Sequence, residues 1–202
     1  MPRVRVPSLT LSDQAVTFRK EGHRLIVFSG AVVRLGPIRT ARLDLLPLRV
    51  EHAEEMAAVL SDPALHTFVG GSPSTPDALR TRYARLVAGS PDPAVSWCNW
   101  VLRARDDGRL AGTVQATVDG PGRDRAEIAW VVGTPWQGRG LASEAARGLV
   151  ARLREEGVRT VVAHVHPGHH ASAAVARAAG LAPTAEIQDG EVRWRLGPEQ
   201  PR

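Results

Sequence analysis

The sequence predicts an α+β fold: a mixed, mostly antiparallel central sheet flanked by about four helices. Three observations lead there. Short β-branched and aromatic stretches recur with turn signals between them, as in "DDG" at 106–108 and "DG" at 189–190. Four other stretches carry apolar residues at three- and four-residue spacing instead. In the middle of the chain a strand runs into "TPWQGRGLASEA", residues 134–145, a glycine turn that opens a helix and leads to another strand.

The elements follow in order. Residues 41–48 read as a strand that Pro47 closes. Residues 50–60 read as a helix with Ala53, Met56, Ala57 and Leu60 on one stripe, and 61–76 as a loop rich in Ser, Pro and Gly. Ser74 or Thr75 caps a second helix, Pro76–Ala88, with proline in its first turn. Residues 96–105, 109–118 and Arg125–Val132 form a three-strand meander. Residues 141–156 form a helix with Leu141, Ala145, Leu149, Val150 and Leu153 on one side, ended by Gly157. A strand at 160–166, a helix at 171–179 and a last hairpin of 185–188 with Glu191–Leu196 complete the chain.

Composition bounds the function. At 43% hydrophobic and 23% charged residues, the 202-residue chain suits one globular domain with a core. Cys98 is the single cysteine, which excludes a disulfide within the chain and a cysteine-based zinc site. No apolar run approaches the ~20 residues that span a bilayer, and no signal-like apolar segment opens the sequence. The expected location is cytoplasmic, without a membrane partner. The net charge of +5 sits wholly in the first forty residues, where Arg3, Arg5, Arg19, Lys20, Arg24, Arg34 and Arg39 face only Asp13 and Glu21. The rest of the chain is balanced, so a nucleic-acid partner is not expected of the folded body. Residues 1–38 are read as a basic N-terminal extension of unclear structure. Short strands at 25–28 and 31–33, a flexible arm and a misassigned start all fit it. Residues 39–197 are read as the domain and 198–202 as a tail.

Gly138 and Gly140 raise a chemical question. A helix start exposes about four unpaired N–H groups at the positive end of its dipole, where phosphate binds well. Glycine lets an oxyanion approach that backbone closely, and Arg139 adds charge. Glycines that merely relax a turn would look the same.

The surrounding residues sharpen the reading. "QGRGLA", residues 137–142, resembles the Q/R-x-x-G-x-G/A motif of the GNAT superfamily of acetyl-CoA-dependent N-acetyltransferases. "HVHPGHHASAAVARAAGLAPT", residues 164–184, is similar to a stretch of that family's RimJ/RimL-like branch. The likeness spans about residues 40–196. It implies a GNAT fold in which the parallel strands 125–132 and 160–166 splay apart around the pantetheine arm of acetyl-CoA. Backbone of Trp130, Val131 and Val132 would then pair with the pantetheine amides, and the backbone near Val131 would hold the oxyanion. The turn of Gln137, Gly138, Arg139, Gly140, Leu141 and Ala142 would take the pyrophosphate.

Acetyl transfer needs a neutral amine, a stabilised oxyanion and a proton for the leaving thiolate. Glu127, on the first splayed strand, is the candidate base; a strand-end glutamate that faces solvent or pairs with Arg125 is its structural alternative. Ser172 matches the family's serine and is the candidate acid or thiolate partner. Two positions depart from the family pattern. Ala176 stands where many members carry a tyrosine acid, and His169 stands where the family has an asparagine, still able to donate and accept. His164, His166, His169 and His170 are dense, but no metal is expected of them, since no Cys, Asp or Glu adjoins them in sequence. Trp97, Trp100 and Trp130 read as core, and His52 and His66 as surface or loop residues. The acceptor amine is expected near 61–75, with Phe68, Gly70 and Gly71 lining its pocket. The expected assembly is a monomer or homodimer. The competing reading is a catalytically weak acyl-CoA-binding sensor or partner module, kept open by Ala176 and His169. Another is an RNA- or ribosome-recruiting role for the basic arm.

Overall fold

The computed structural model describes residues 35–119, 122 and 124–197. The expected strands at 25–28 and 31–33 lie outside the described residues. Eight strands form one sheet: β1 (Ile38–Arg39), β2 (Leu43–Pro47), β3 (Ser96–Ala104), β4 (Leu110–Asp119), β5 (Arg125–Val132), β6 (Thr160–Val165), β7 (Ala182–Gln188) and β8 (Glu191–Leu196). Their spatial order is β1-β2-β3-β4-β5-β6-β8-β7. Every neighbouring pair is antiparallel except β5 and β6. The helices are α1 (Ala53–Val59), α2 (His66–Val69), α3 (Pro76–Ala88), α4 (Leu141–Glu155) and α5 (His170–Ala178).

Side chains alternate across the sheet, and the registers set which rows they form. Trp100, Val114 and Trp130 share one row, and Cys98, Ala116 and Ile128 the next on the same face. That face is apolar and packed into the core. The opposite face carries Asn99, Gln115 and Ala129 in one row and Trp97, Thr117 and Glu127 in another. It is half-exposed and polar. α4 packs across β1, β2, β4 and β5, and α1 against β4 and α3. Leu35 and Ile38 are both core residues, and Trp100 Nε1 donates to Gly36 O at 3.1 Å. The folded body therefore begins before residue 39.

Three local expectations are refined. The first helix opens as a 3-10 turn, Val50–His52, before α1. The loop at 61–76 contains a 3-10 turn, Pro63–Leu65, and the one-turn helix α2. Asp62 starts that segment by accepting a hydrogen bond from Ala64 N at 2.9 Å. Four residues are too few to show a helical period, so sequence reading sees only loop. β7 starts three residues earlier than expected, at Ala182, with a register irregularity between Pro183 and Ile187. It is an edge strand exposed on both faces, so no alternation marks its start.

The feature that positions the site is the β5–β6 pair. Arg125 faces Thr160, Ala126 faces Val161 and Glu127 faces Val162. Past Glu127 no pair joins the two strands. β5 stays with β4 to Val132, and β6 stays with β8 to Val165. The sheet thus opens into a V at its middle.

Candidate active site

The glycine turn lies at the open end of β5. A 3-10 turn, Thr134–Trp136, follows the strand. Gln137 Nε2 donates to Val132 O at 3.0 Å, tying the turn back to the strand end. Gly138 and Gly140 then adopt left-handed φ angles of 71° and 75°, which L side chains resist. Gly140 is the N-cap of α4 and has no capping side chain. The first helical bond is Glu144 N to Gly140 O. The N–H groups of Leu141, Ala142 and Ser143 therefore lack intrahelical acceptors. A Cβ on Gly138 would meet nothing within 4 Å, so the turn is open to a ligand.

A buried carboxylate holds this turn in place. Glu144, 8% exposed in the first turn of α4, accepts from Thr40 Oγ1, Arg42 N and Arg42 Nε, each at 2.7 Å. Arg42 Nη1 also donates to Arg139 O at 2.9 Å. The β1–β2 turn is thereby fastened to the glycine turn. Burial alone would raise the Glu144 pKa, but the hydrogen bonds from Thr40 and Arg42 outweigh it and hold the carboxyl below its usual value. The Arg139 side chain turns away, reaching Asp106 at 3.2 Å.

A single cleft of about 940 Å³ runs from this turn through the V. Trp130, Val131, Val132, Gln137, Gly138, Gly140, Leu141 and Ala142 line it, with Glu127, His169 and Ser172. Arg139 is the one expected site residue that does not. Ser172 is half-buried on α5. His169 stacks on Phe68, ring centroids 4.2 Å apart at 19°. Burial, then the neighbouring His166 and His170, lowers the His169 pKa and so favours the neutral ring. Phe68, Gly70 and Gly71 line the same cleft from α2 and the loop after it.

At the closed end of the V, Glu127 Oε1 lies 3.2 Å from His164 Nδ1. This hydrogen bond holds the Glu127 carboxyl below its ordinary pKa, against the opposing effect of burial. His164 Nε2 is buried without a partner. Glu191 on β8 borders the same cleft, and burial raises its pKa. Two sequence expectations change here. Glu127 does not pair with Arg125, which reaches Asp119 at 3.3 Å. The histidine cluster does have a carboxylate beside it, because parallel pairing sets Glu127 opposite Val162. Among the described residues no group of three His, Cys, Asp or Glu side chains could hold a metal ion.

The roof of the cleft was missed by sequence reading. Leu79, Arg82, Tyr83 and Leu86, on one face of α3, all line it, and His66 does so from α2. The signal was present: an arginine and a tyrosine inside an apolar stripe at helical spacing. His66 Nδ1 lies 3.1 Å from Gly70 O, so His66 is a cleft residue rather than a surface one.

An antiparallel sheet with one parted parallel pair, beside a glycine turn at a bare helix N-terminus, defines an acyltransferase scaffold. Residues 42–182 match the family model described as the acetyltransferase (GNAT) domain. The chain belongs to the GNAT family and is an N-acetyltransferase. No curated protein sequence matches it. Solved structures share the fold. The GNAT-family acetyltransferase from Bacillus anthracis superposes with a TM-score of 0.67 at 18% identity, covering 79% of this chain and 97% of that one. A candidate ribosomal-protein-serine acetyltransferase from Vibrio cholerae gives 0.64 at 18%, covering 80% and 97%. The microcin C7 self-immunity acetyltransferase MccE, solved with acetyl-CoA and AMP, gives 0.63 at 17%, covering 78% and 93%. No described helix is long and apolar enough to cross a membrane.

Proposed function

We propose that the protein transfers the acetyl group of acetyl-CoA to a primary amine by direct attack within a ternary complex, as a member of the RimJ/RimL-like branch. The observation that carries this is the continuous cleft joining the glycine turn, the V between β5 and β6, and the Glu127–His164 pair.

The residues fit the cosubstrate. Unpaired N–H groups of Leu141, Ala142 and Ser143 suit a pyrophosphate at the helix dipole. β5 backbone at Trp130, Val131 and Val132, released from β6, suits the pantetheine amides, and its N–H groups suit an oxyanion. Glu127 accepts the amine proton, with His164 fixing one carboxylate oxygen and leaving the other for the acceptor. The amine nitrogen bonds the thioester carbon, the C–S bond breaks as the oxyanion collapses, and the departing thiolate, held by the Ser172 hydroxyl, takes up the proton that Glu127 releases. Ala176 is wholly buried, so the family's tyrosine acid has no counterpart at that position.

The test is calorimetric titration with acetyl-CoA, then thiol release against amines, amino acids and N-terminal peptides. Binding with release is expected. Failure to bind acetyl-CoA would overturn the reading, and binding without release to any amine would favour a sensor.

A further inference from the structure

Among the described residues Arg82 is the one arginine that lines the cleft, and none of them forms a hydrogen bond or ion pair with it. It is half-buried on α3, and no carboxylate is among the titratable groups acting on it, which are Tyr83 and Arg85. Burial pulls its pKa below the ordinary value. A guanidinium that loses hydration without an ion pair is costly unless a ligand completes it. Beside it, Tyr83 is 4% exposed and its Oη is buried without a hydrogen-bond partner, with burial raising its pKa to about 12. Ser72 and Ser74 also line the cleft. This roof offers donors and a positive charge. Elsewhere the same cleft is acidic, with Glu127, Asp189 and Glu191 lining it.

We infer that the acceptor is an amine that also carries an oxyanion group, a carboxylate or a phosphate, and that Arg82 holds that group while Glu127 and Glu191 face the amine. The inference rests on the acetyltransferase reading and narrows its acceptor. The polarity of the cleft matches a zwitterion, and a guanidinium fork suits both oxyanions. A polycationic amine would bring positive charge against Arg82.

The experiment measures thiol release from acetyl-CoA by the full chain with matched amines: L-serine against L-serinamide, L-glutamate against L-glutamine α-amide, and phosphoethanolamine against ethanolamine. In at least one pair the anionic member should have a kcat/KM about tenfold to a hundredfold higher, the worth of a charge-assisted hydrogen bond. The amino-acid and phosphoethanolamine pairs tell carboxylate from phosphate. In Arg82→Gln the preference should collapse to within about threefold, and Arg82→Lys, which keeps the charge, should retain part of it. A circular dichroism spectrum checks that each variant is folded. Preference for the neutral member, a preference unchanged in Arg82→Gln, or a rise in the acetyl-CoA KM instead would overturn the inference. So would acetyl-CoA binding with no release to any anionic member. Absence of acetyl-CoA binding would instead overturn the acetyltransferase reading.

Discussion

Glu127 and His164 are 37 residues apart in sequence and 3.2 Å apart in the fold. The bond holds the Glu127 pKa below its ordinary value against the effect of burial, which favours the ionised, proton-accepting form. If Glu127 takes the amine proton, Glu127→Gln should lower kcat by about a hundredfold or more while leaving acetyl-CoA affinity nearly unchanged. The rise of kcat/KM with pH between about 6 and 9 should persist in that variant, because it reports deprotonation of the acceptor amine. Stopped assays across that range test both points, and an unchanged kcat would remove Glu127 as the base. The side chain of Glu127 was legible as a candidate. Its partner was not, because strand pairing rather than spacing chooses it.

At the scale of an element, the glycine turn and its fastening to the β1–β2 turn act together. Gly138→Glu or Gly140→Glu should abolish acetyl-CoA binding by placing a bulky negative side chain where the pyrophosphate would lie. The strain of an L residue at positive φ should cost only about 1–2 kcal/mol, leaving the fold intact. Titration calorimetry and a melting curve separate the two effects, and retained affinity would reject this pyrophosphate site. Glu144→Ala should cost about 1–3 kcal/mol by stranding the donors of Thr40 and Arg42. It should also weaken acetyl-CoA binding by loosening the turn. Because the folded-state pKa of Glu144 lies below its ordinary 4.5, its contribution is complete above that pH. It is lost as pH falls through the lower folded value. The gap in melting temperature between wild type and Glu144→Ala should therefore be constant above about pH 5.5 and narrow in acid. A gap that widens in acid would refute this account of Glu144.

For the whole molecule, the described residues carry the core back to Leu35 and Ile38. Removing residues 1–34 should leave a cooperative melt. Removing 1–38 deletes the buried Leu35 and Ile38 and the carbonyl that Trp100 Nε1 uses. Each aliphatic side chain is worth about 1.5–3 kcal/mol of burial, so the shorter chain should melt at a clearly lower temperature. Equal melting temperatures for the two truncations would show that β1 adds nothing. β1 is two residues long, too short for alternation to mark it in the sequence.

The sequence by itself determined the element order, the family likeness and the glycine turn. Each of these is written in local spacing: three- and four-residue stripes, turn dipeptides, and glycines between a strand and a helix. Only the tertiary structure decided which distant groups meet. The parting of β5 from β6, the Glu127–His164 bond, the Glu144 anchor and the place of Arg82 in the cleft all depend on strand register and on what covers the open face of the sheet. A side chain's charge is local information, whereas its partner, or the lack of one, is set by contacts between residues far apart in the chain.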